Sequence, residues 1–213
     1  MKGFGRIELN YKTLKSELDE FEAFLNGSMH KKERREIAPF FRDHEQLVAA
    51  LGFTHPEIQH PDCVSTELSL FGDFACDSAS GDSESKAFLL IEFEDATEHS
   101  VLRRIKEGDE GKIKAWSSRF EHGFSQLVDW AWRLDTEAPG SPSMQRIFGV
   151  DNPSLHFLLI AGRSSDLTEA DQNRMLWRAR SVHFGKYRMS CLTFDGVLAT
   201  LRRRLSLAET VDS

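Results

Sequence analysis

Two glutamates, Glu92 and Glu94, stand two positions apart at the end of the apolar segment 87–94. Side chains alternate between the faces of a strand, so both carboxylates are expected on the same face. Two neighbouring carboxylates on a buried face cost several kcal/mol unless a cation compensates them. Mg²⁺ prefers oxygen ligands and often binds one or two carboxylates together with phosphate and water. The pair therefore indicates a divalent-metal site; the alternative is that the strand ends earlier and the glutamates pair in solvent with Arg103 or Arg104.

Asp73 supports the metal interpretation. It follows Gly72 at the start of a predicted strand, one hairpin before Glu92, and a suitable hairpin register would bring the two carboxylates together. Aspartate at a strand start is also a common turn residue. Asp77 is a less favoured candidate because it adjoins a predicted loop.

Two further polar residues lie on a predicted helix. Gln126 could orient a water molecule or a phosphate, although it could equally cap a backbone group or be exposed. His122 lies four residues earlier, on the same helical stripe. It is a possible metal ligand, but a packed or solvent-exposed histidine is the more common outcome.

The sequence contains no motif for the other common types of catalytic or cofactor site. The sequence has no P-loop, no G-x-G-x-x-G after a strand, no G-x-S-x-G and no H-E-x-x-H. Its 3 cysteines have no zinc-type spacing, which predicts a reduced, cytoplasmic protein. Cysteine–histidine nucleophile chemistry is left open. No apolar run approaches the ~20 residues of a membrane span, and no signal peptide is visible.

Composition and charge set wider bounds. A hydrophobic fraction of 40% is enough for a folded core and excludes general disorder. Residues 62–137 contain 17 acidic and 8 basic residues, whereas residues 173–213 contain 8 basic and 3 acidic ones. This asymmetry suits a metal site beside a polyanion-binding face, or two ordinary solvated surfaces.

The hydrophobic periodicity predicts the elements that must position these residues. Helices are expected at 14–25, from about residue 30 to a break at Pro39, and at 45–51, 119–134 (with Val128 facing inward), 167–181 and 196–207. Strands are expected at 64–70, 72–77, 87–94, 155–161 and 188–194, and loops at 78–85 and 138–143. The order predicts an α/β fold: a central mixed sheet covered by helices on both faces. We divide the chain into an N-terminal helical lead-in, residues 1–28, and a main domain, residues 29–213.

Three segments taken together resemble the Shedu antiphage-defence nuclease family. They are Gly72-Asp73-Phe74, Ile91-Glu92-Phe93-Glu94 and the helix segment 121–130, which contains His122, Gln126, Asp129 and Trp130. Residues 31–41 and 191–198 are similar to the family's lead-in and closing elements. The resemblance implies a restriction-endonuclease-like fold of the PD-(D/E)XK class.

The resemblance also implies roles for individual residues. Asp73 and Glu92 correspond to the family's metal-binding acids. Gln126 corresponds to the family's helix glutamine. Either Glu33 or Glu36 corresponds to the acid of the first core helix. Glu94 stands where the family motif often has a lysine, so the positive charge of that lysine is missing. Lys112 or Lys114 could replace it, and Gly123, where alanine is more usual, looks harmless.

The function implied is metal-dependent hydrolysis of DNA, phage or plasmid, by a cytoplasmic homo-oligomer in bacterial defence. Asp73, Glu92 and Glu94 would hold Mg²⁺ or Mn²⁺, and Gln126 would position water or the DNA backbone. The candidate phosphate-binding residues are Lys31, Lys32, Arg34, Arg35, Lys112, Lys114, Arg202, Arg203 and Arg204; for the last three a helix C-terminus that favours cations is an equal alternative. A catalytically weakened relative that binds nucleic acid or a partner protein remains open, as does a domain with no nucleic-acid role.

Overall fold

A six-stranded mixed sheet forms the centre of the chain. The computed structural model describes residues 3–27, 31–104, 108 and 112–211, with side chains up to residue 208. The strands are β1 (Gly5–Arg6), β2 (Cys63–Leu70), β3 (Phe74–Asp82), β4 (Ala87–Phe93), β5 (Ser154–Ile160) and β6 (Arg188–Leu192). They lie side by side in chain order. Strands β1 to β4 pair antiparallel, whereas β4, β5 and β6 pair parallel.

Among the described residues, seven α-helices cover both faces of the sheet. They are α1 (Tyr11–Asn26), α2 (Ala38–Asp43), α3 (Glu45–Leu51), α4 (Ser118–Thr136), α5 (Pro142–Phe148), α6 (Glu169–Ser181) and α7 (Phe194–Val211). Apolar side chains of α1, α2, α3 and α7 form one core with residues such as Leu89 and Ile91 of β4. Those of α4, α5 and α6 form a second core with Phe88 and Leu90. The predicted mixed sheet with helices on both faces is therefore confirmed.

The N-terminal helix is built as its sequence predicts. Asn10 caps α1 by accepting a hydrogen bond from the Thr13 backbone N–H. Its apolar residues at spacings of three and four are buried: Leu14, Leu18, Phe21 and Leu25. These side chains belong to the same core as α3, α7 and β4. The lead-in thus packs directly on the main domain.

The second predicted helix is formed differently. The prediction from residue 30 lies partly outside the described residues, and Lys31 forms an isolated β-bridge with Ala96. A single π-helical turn, Glu33–Ile37, then leads into α2. Pro39 does not break a helix; it occupies the first turn of α2, where its missing N–H has no intrahelical partner to lose.

Strand β3 is longer than predicted. Residues 78–82 were expected in a loop because they are serine, alanine, glycine and aspartate, but they pair with both β2 and β4. The small side chains let helix α3 approach closely, and Ser80 Oγ donates a hydrogen bond to the Ala49 carbonyl at 2.9 Å. Close packing by α3 therefore overrides the turn-like composition of this segment.

Three smaller predictions also needed correction. Helix α5 was not predicted and begins inside the predicted loop 138–143. Val128 on α4 is exposed, although it was predicted to face inward. Strand β1 was not predicted. None of the helices in the part of the chain described here combines the length and apolar character that crossing a bilayer requires.

Candidate functional site

A polar cavity of about 380 Å³ opens between the π-helical turn, α2, strands β2 to β4 and helix α4. Besides Arg42 and Glu67, six ionisable or amide side chains line it: Glu33, Arg34, Asp77, Glu92, His122 and Gln126. Five of these six were candidates from the sequence, either as site residues or as phosphate-binding ones; the sixth, Asp77, was considered and disfavoured. The structure therefore gathers residues from four separate elements, the π-helical turn, β3, β4 and α4, at one place.

Asp77, rather than Asp73, lies next to Glu92. Ser78 pairs with Ile91 across β3 and β4, so Asp77 and Glu92 are the next residues at the open end of the ladder. Asp77 Oδ2 accepts a hydrogen bond from the Phe93 backbone N–H at 2.8 Å. The hairpin register therefore gives Asp77 the place expected for Asp73.

Asp73 lies elsewhere, in the turn between β2 and β3. Its carboxylate is exposed and accepts a hydrogen bond from Arg133 Nε at 2.7 Å. It does not line the cavity. The prediction began this strand at residue 72; the actual strand begins at Phe74, and Asp77, three residues further along it, is the aspartate that lines the cavity.

Glu92 and Glu94 are both buried on the α4 face of β4. Glu92 is 4% exposed and Glu94 is 0% exposed. Among the described residues, neither Glu92 Oε2 nor Glu94 Oε2 has a hydrogen-bond partner. The alternative in which the strand ends early and both glutamates lie in solvent does not hold. Orphaned buried carboxylate oxygens are uncommon and call for a ligand or a function.

Burial shifts the ionisation of this group. Burial raises the pKa of Asp77 to about 7, opposed by its bond from Phe93 and supported by nearby Glu33 and Glu94. Burial, together with Asp77, Glu33 and Glu94, raises the pKa of Glu92 well above its usual value, although a hydrogen bond from Gln126 lowers it. The cavity therefore brings together carboxyl groups that oppose one another's ionisation, an arrangement typical of functional sites.

Glu94 is held by two residues of helix α4. His122 Nδ1 lies 2.9 Å from Glu94 Oε1, within hydrogen-bond distance. Arg119 Nη1 lies 3.9 Å from Glu94 Oε2. Burial raises the pKa of Glu94, with the His122 hydrogen bond acting in the opposite direction.

Arg119, His122 and Gln126 form one stripe along α4, at spacings of three and four residues. Gln126 lines the cavity and bonds Glu92, while its Oε1 has no partner within the described part of the chain. Sequence reasoning missed Arg119. The signal was its position three residues before His122, on the same face of the helix.

The two acids proposed for the first core helix have different positions. Glu33 is largely buried, lines the cavity and lies 3.8 Å from Arg119 Nη1. Glu36 accepts the Lys32 backbone N–H at 2.7 Å, which stabilises the π-helical turn. The structure therefore places Glu33, and not Glu36, with the acidic group.

Gly123 lies where α4 approaches β4 and β5. A Cβ atom at this position would be 2.7 Å from Leu159 Cδ1 and 3.0 Å from Glu94 Cγ. Both distances are shorter than ordinary van der Waals contacts. An alanine here would require Leu159 and Glu94 to shift, so the glycine allows Glu94 to pack closely under the helix.

The basic candidates near the cavity are partly committed to other contacts. Arg34 lines the cavity with a side chain 91% exposed, and Arg35 is exposed nearby. Lys32 Nζ pairs with Asp95 at 2.9 Å, and Lys31 Nζ lies 4.4 Å above the Phe24 ring. Arg42, not foreseen from the sequence, also lines the cavity.

The basic candidates far from the cavity have structural partners. Arg202 bonds Asp19 and Glu22 of α1, and Arg204 donates to the Phe53 carbonyl. Both lie on α7, on the opposite face of the sheet from Glu92; Arg203 is exposed on the same helix. Lys114 pairs with Asp171 at 3.1 Å, and Lys112 is exposed before α4.

The donor atoms suit a divalent cation, but their present arrangement does not yet form a binding site. Unpartnered carboxylate oxygens next to a polar cavity are the ligand type that Mg²⁺ prefers. Within the described ranges, however, no group of three or more His, Cys, Asp or Glu side chains is arranged so that it could hold a metal ion. The three cysteines are free and buried, and they take no part in the site.

A protein-family model matches most of the chain. The model of a family described as Shedu protein SduA, C-terminal, matches residues 30–198, which is well over half of the chain and includes every residue of the cavity. No curated protein matches the chain.

Proposed function

The chain belongs to the family of the Shedu protein SduA C-terminal region, and from this premise we propose that it is a metal-dependent DNA endonuclease acting in antiphage defence. Family membership supports the defence role. The nuclease activity, the metal and the DNA substrate are proposals that rest on the chemistry of the cavity. We also retain as proposals the PD-(D/E)XK class, the homo-oligomer and the cytoplasmic location.

The observation that carries the nuclease proposal is the buried acidic pair at the end of β4. Glu92 has an unpartnered oxygen among the described residues and faces a cavity that also contains Asp77 and Glu33. Such a group is costly for folding alone, because each carboxylate opposes the ionisation of the others. Function explains its retention better than stability does.

Asp77 and Glu92 are the residues that we expect to hold Mg²⁺ or Mn²⁺. When bound, the metal would polarise the scissile phosphate and lower the pKa of a water molecule. Asp77 replaces Asp73 in this assignment, because Asp73 is bonded to Arg133 outside the cavity. Glu94 is assigned to holding His122 and Arg119 rather than to the metal.

The remaining cavity residues bind and orient the substrate. Gln126 donates to Glu92, and its free amide oxygen is positioned to accept a hydrogen bond from an attacking water. Arg34 and Arg42 line the cavity, and Arg35 is exposed beside Arg34 in the chain; guanidinium groups suit DNA phosphates. The cavity thus combines an acidic floor with a basic rim.

Cleavage of supercoiled plasmid in Mg²⁺ or Mn²⁺ tests the proposal. We expect nicking or linearisation by the wild-type chain that disappears with EDTA and in Glu92→Gln and Asp77→Asn. Asp73→Asn is the matched variant and should keep wild-type cleavage, because its carboxylate lies outside the cavity. Loss of cleavage in Asp73→Asn with retention in Asp77→Asn would reverse the assignment, and wild-type inactivity with both metals would contradict the nuclease proposal.

One observation favours a second function. Glu94 is tied to His122 and Arg119, and no ready metal arrangement exists among the residues described. A chain with this site could bind DNA without cleaving it. Salt-dependent DNA binding by an inactive wild type would support that reading.

A further inference from the structure

Glu94 stands where the family motif often has a lysine, and we propose that Arg119 supplies the missing positive charge and contacts the scissile phosphate of the DNA. This inference rests on the proposed nuclease function. The role it assigns is electrostatic: stabilisation of the negative charge that develops on the phosphate oxygens during hydrolysis.

Arg119 lies where such a charge is needed. Its guanidinium is 3.8 Å from Glu33 Oε2, 3.9 Å from Glu94 Oε2 and 3.7 Å from Asp95 Oδ2. Glu33 lines the cavity, and Glu94 occupies the motif position of the lysine. Arg119 therefore places a positive charge next to Glu94, the residue that stands at the position of the motif lysine.

The contacts of Arg119 leave its N–H groups available. All three distances exceed a hydrogen-bond length, so they are ion pairs without directed hydrogen bonds. Its side chain is 53% exposed. By contrast, Arg178 on α6 donates two bonds to Glu121 at 2.7 and 2.8 Å and lies 4.0 Å above the Phe124 ring. Arg178 is locked in place, whereas Arg119 can turn its donors to a phosphate.

The position of Arg119 in α4 gives an independent argument. It is the second residue of the helix, near the positive end of the helix dipole, where a cation is unfavourable. Its three acidic neighbours offset this cost. A residue that breaks a local preference beside a polar cavity is typical of a functional site.

The lysines suggested by the sequence fit the role less well. Lys114 is paired with Asp171 at 3.1 Å, whereas Arg119 lies within 4 Å of both Glu94 and the cavity-lining Glu33. Arg34 reaches the cavity, but from its mouth, with its side chain almost fully exposed. It suits contacts to the flanking DNA backbone.

Steady-state cleavage of a short DNA duplex by variants at position 119 tests the proposal. We expect Arg119→Gln to lower kcat by about 100-fold or more, the usual loss for one electrostatic donor, and Arg119→Lys to lower it less. Exposed Arg180 on α6 gives the matched control, and Arg180→Gln should keep the wild-type kcat. Wild-type kcat in Arg119→Gln would overturn the inference while leaving the nuclease proposal intact.

Restoring the motif lysine gives a stricter test. In the double variant Arg119→Gln/Glu94→Lys, the charge returns at its usual position, so activity should recover at least tenfold relative to Arg119→Gln, in proportion to the restored electrostatic donor. A double variant that folds but shows no recovery of activity would contradict the proposal that Arg119 does the work of the motif lysine.

DNA binding in EDTA provides a readout that does not depend on catalysis and decides the question if the double variant fails to fold. A lost phosphate contact lowers the slope of log Kd against log salt by about 1. We expect this change in Arg119→Gln and not in Arg180→Gln. Equal slopes in the two variants would contradict the proposed contact between Arg119 and a DNA phosphate. If the wild-type chain neither binds nor cleaves DNA, the proposed function fails first, and this inference with it.

Discussion

Glu92 is under opposing demands from folding and from function. Its raised pKa means that the folded chain holds this proton more tightly than the unfolded chain. Above the ordinary carboxyl pKa, the ionised group therefore costs stability, and the cost grows as the pH rises.

Removing that charge should stabilise the chain. We expect Glu92→Gln to raise the free energy of unfolding at pH 8 by roughly 1 kcal/mol or more, within the usual range for single substitutions, and to change it little at pH 4.5. Urea unfolding in EDTA at the two pH values measures this. An unchanged or lower stability at pH 8 would show that the carboxylate is already compensated within the protein.

Gly123 gives a prediction whose sign is opposite to helix propensity. Glycine to alanine inside a helix normally stabilises by about 1 kcal/mol. Here the added methyl group would clash with Leu159 and Glu94, and overpacking of a core typically costs about 1–3 kcal/mol. We therefore expect Gly123→Ala to lower the unfolding free energy.

Thermal and urea unfolding test this expectation, with Ser125→Ala as the control. Ser125 is exposed on the same helix and bonds only the Glu121 carbonyl among the contacts described, so its replacement should be neutral or slightly stabilising. A Gly123→Ala chain as stable as the wild type would mean that Glu94 has room to move.

The sequence predicted the types of side chain that form the site well, but it predicted the individual residues less well. Glu92, Glu94, Gln126 and His122 were found because strand and helix periodicity alone relate them. The choice between Asp73 and Asp77 depended on the hairpin register: the two aspartates are four residues apart, and no local pattern determines which of them lies opposite Glu92.

Helix α7 is joined to α1 by charge as well as by its apolar face. Arg202 bonds Asp19 at 2.6 Å and Glu22 at 2.7 Å. The arginine run therefore helps to attach the last helix to the first, on the face of the sheet opposite the cavity.

This contact separates a structural role from nucleic-acid binding. We expect Arg202→Ala to lower the unfolding free energy by no more than about 1 kcal/mol, because the pairs are partly exposed, and to leave the salt dependence of DNA binding unchanged. Arg34→Ala at the cavity mouth should do the reverse: unchanged stability and a salt slope lower by about 1. Urea unfolding and fluorescence-anisotropy titrations of DNA, run in parallel, distinguish the structural role from the DNA-binding role. A lower salt slope of DNA binding in Arg202→Ala would indicate that α7 is a DNA-binding surface.

At the element scale, prediction worked where one physical signal dominated. The amphipathic pattern of α1 and the continuous apolar runs of β4 and β5 gave those elements nearly to their ends. The second half of β3 was missed because its serines and glycine resemble a loop. Only the close approach of α3 explains them, and that is a tertiary contact.

For the whole molecule, pH dependence combines two opposing groups. In the acidic cavity, the raised pKa values of Asp77, Glu92 and Glu94 make the folded state bind protons first as the pH falls below about 7, which adds stability. A buried histidine pair at the other end of β5 acts in the opposite direction. The net profile is the sum of the two.

The histidine pair consists of His55 and His156, whose rings are 5.6 Å apart. Burial, repulsion from His55 and the charge of Arg188 lower the pKa of His156 to about 4. Burial likewise lowers the pKa of His55. Between the ordinary histidine pKa of about 6.5 and pH 4, the unfolded chain therefore binds more protons, and stability falls as the pH falls.

His156→Gln isolates this contribution, because glutamine keeps a polar partner for Ser190, which lies 2.8 Å from His156 Nε2. We expect the loss of unfolding free energy between pH 7 and pH 5 to be smaller in the variant than in the wild type by about 1 to 2 kcal/mol, since one proton accounts for at most about 1.4 kcal/mol per pH unit. Urea unfolding across this range measures the difference, with exposed His183→Gln as the control. Identical profiles for His156→Gln and the wild type would mean that the buried pair accepts protons in the folded chain as readily as in the unfolded one, and the acidic cavity alone would then govern the pH dependence.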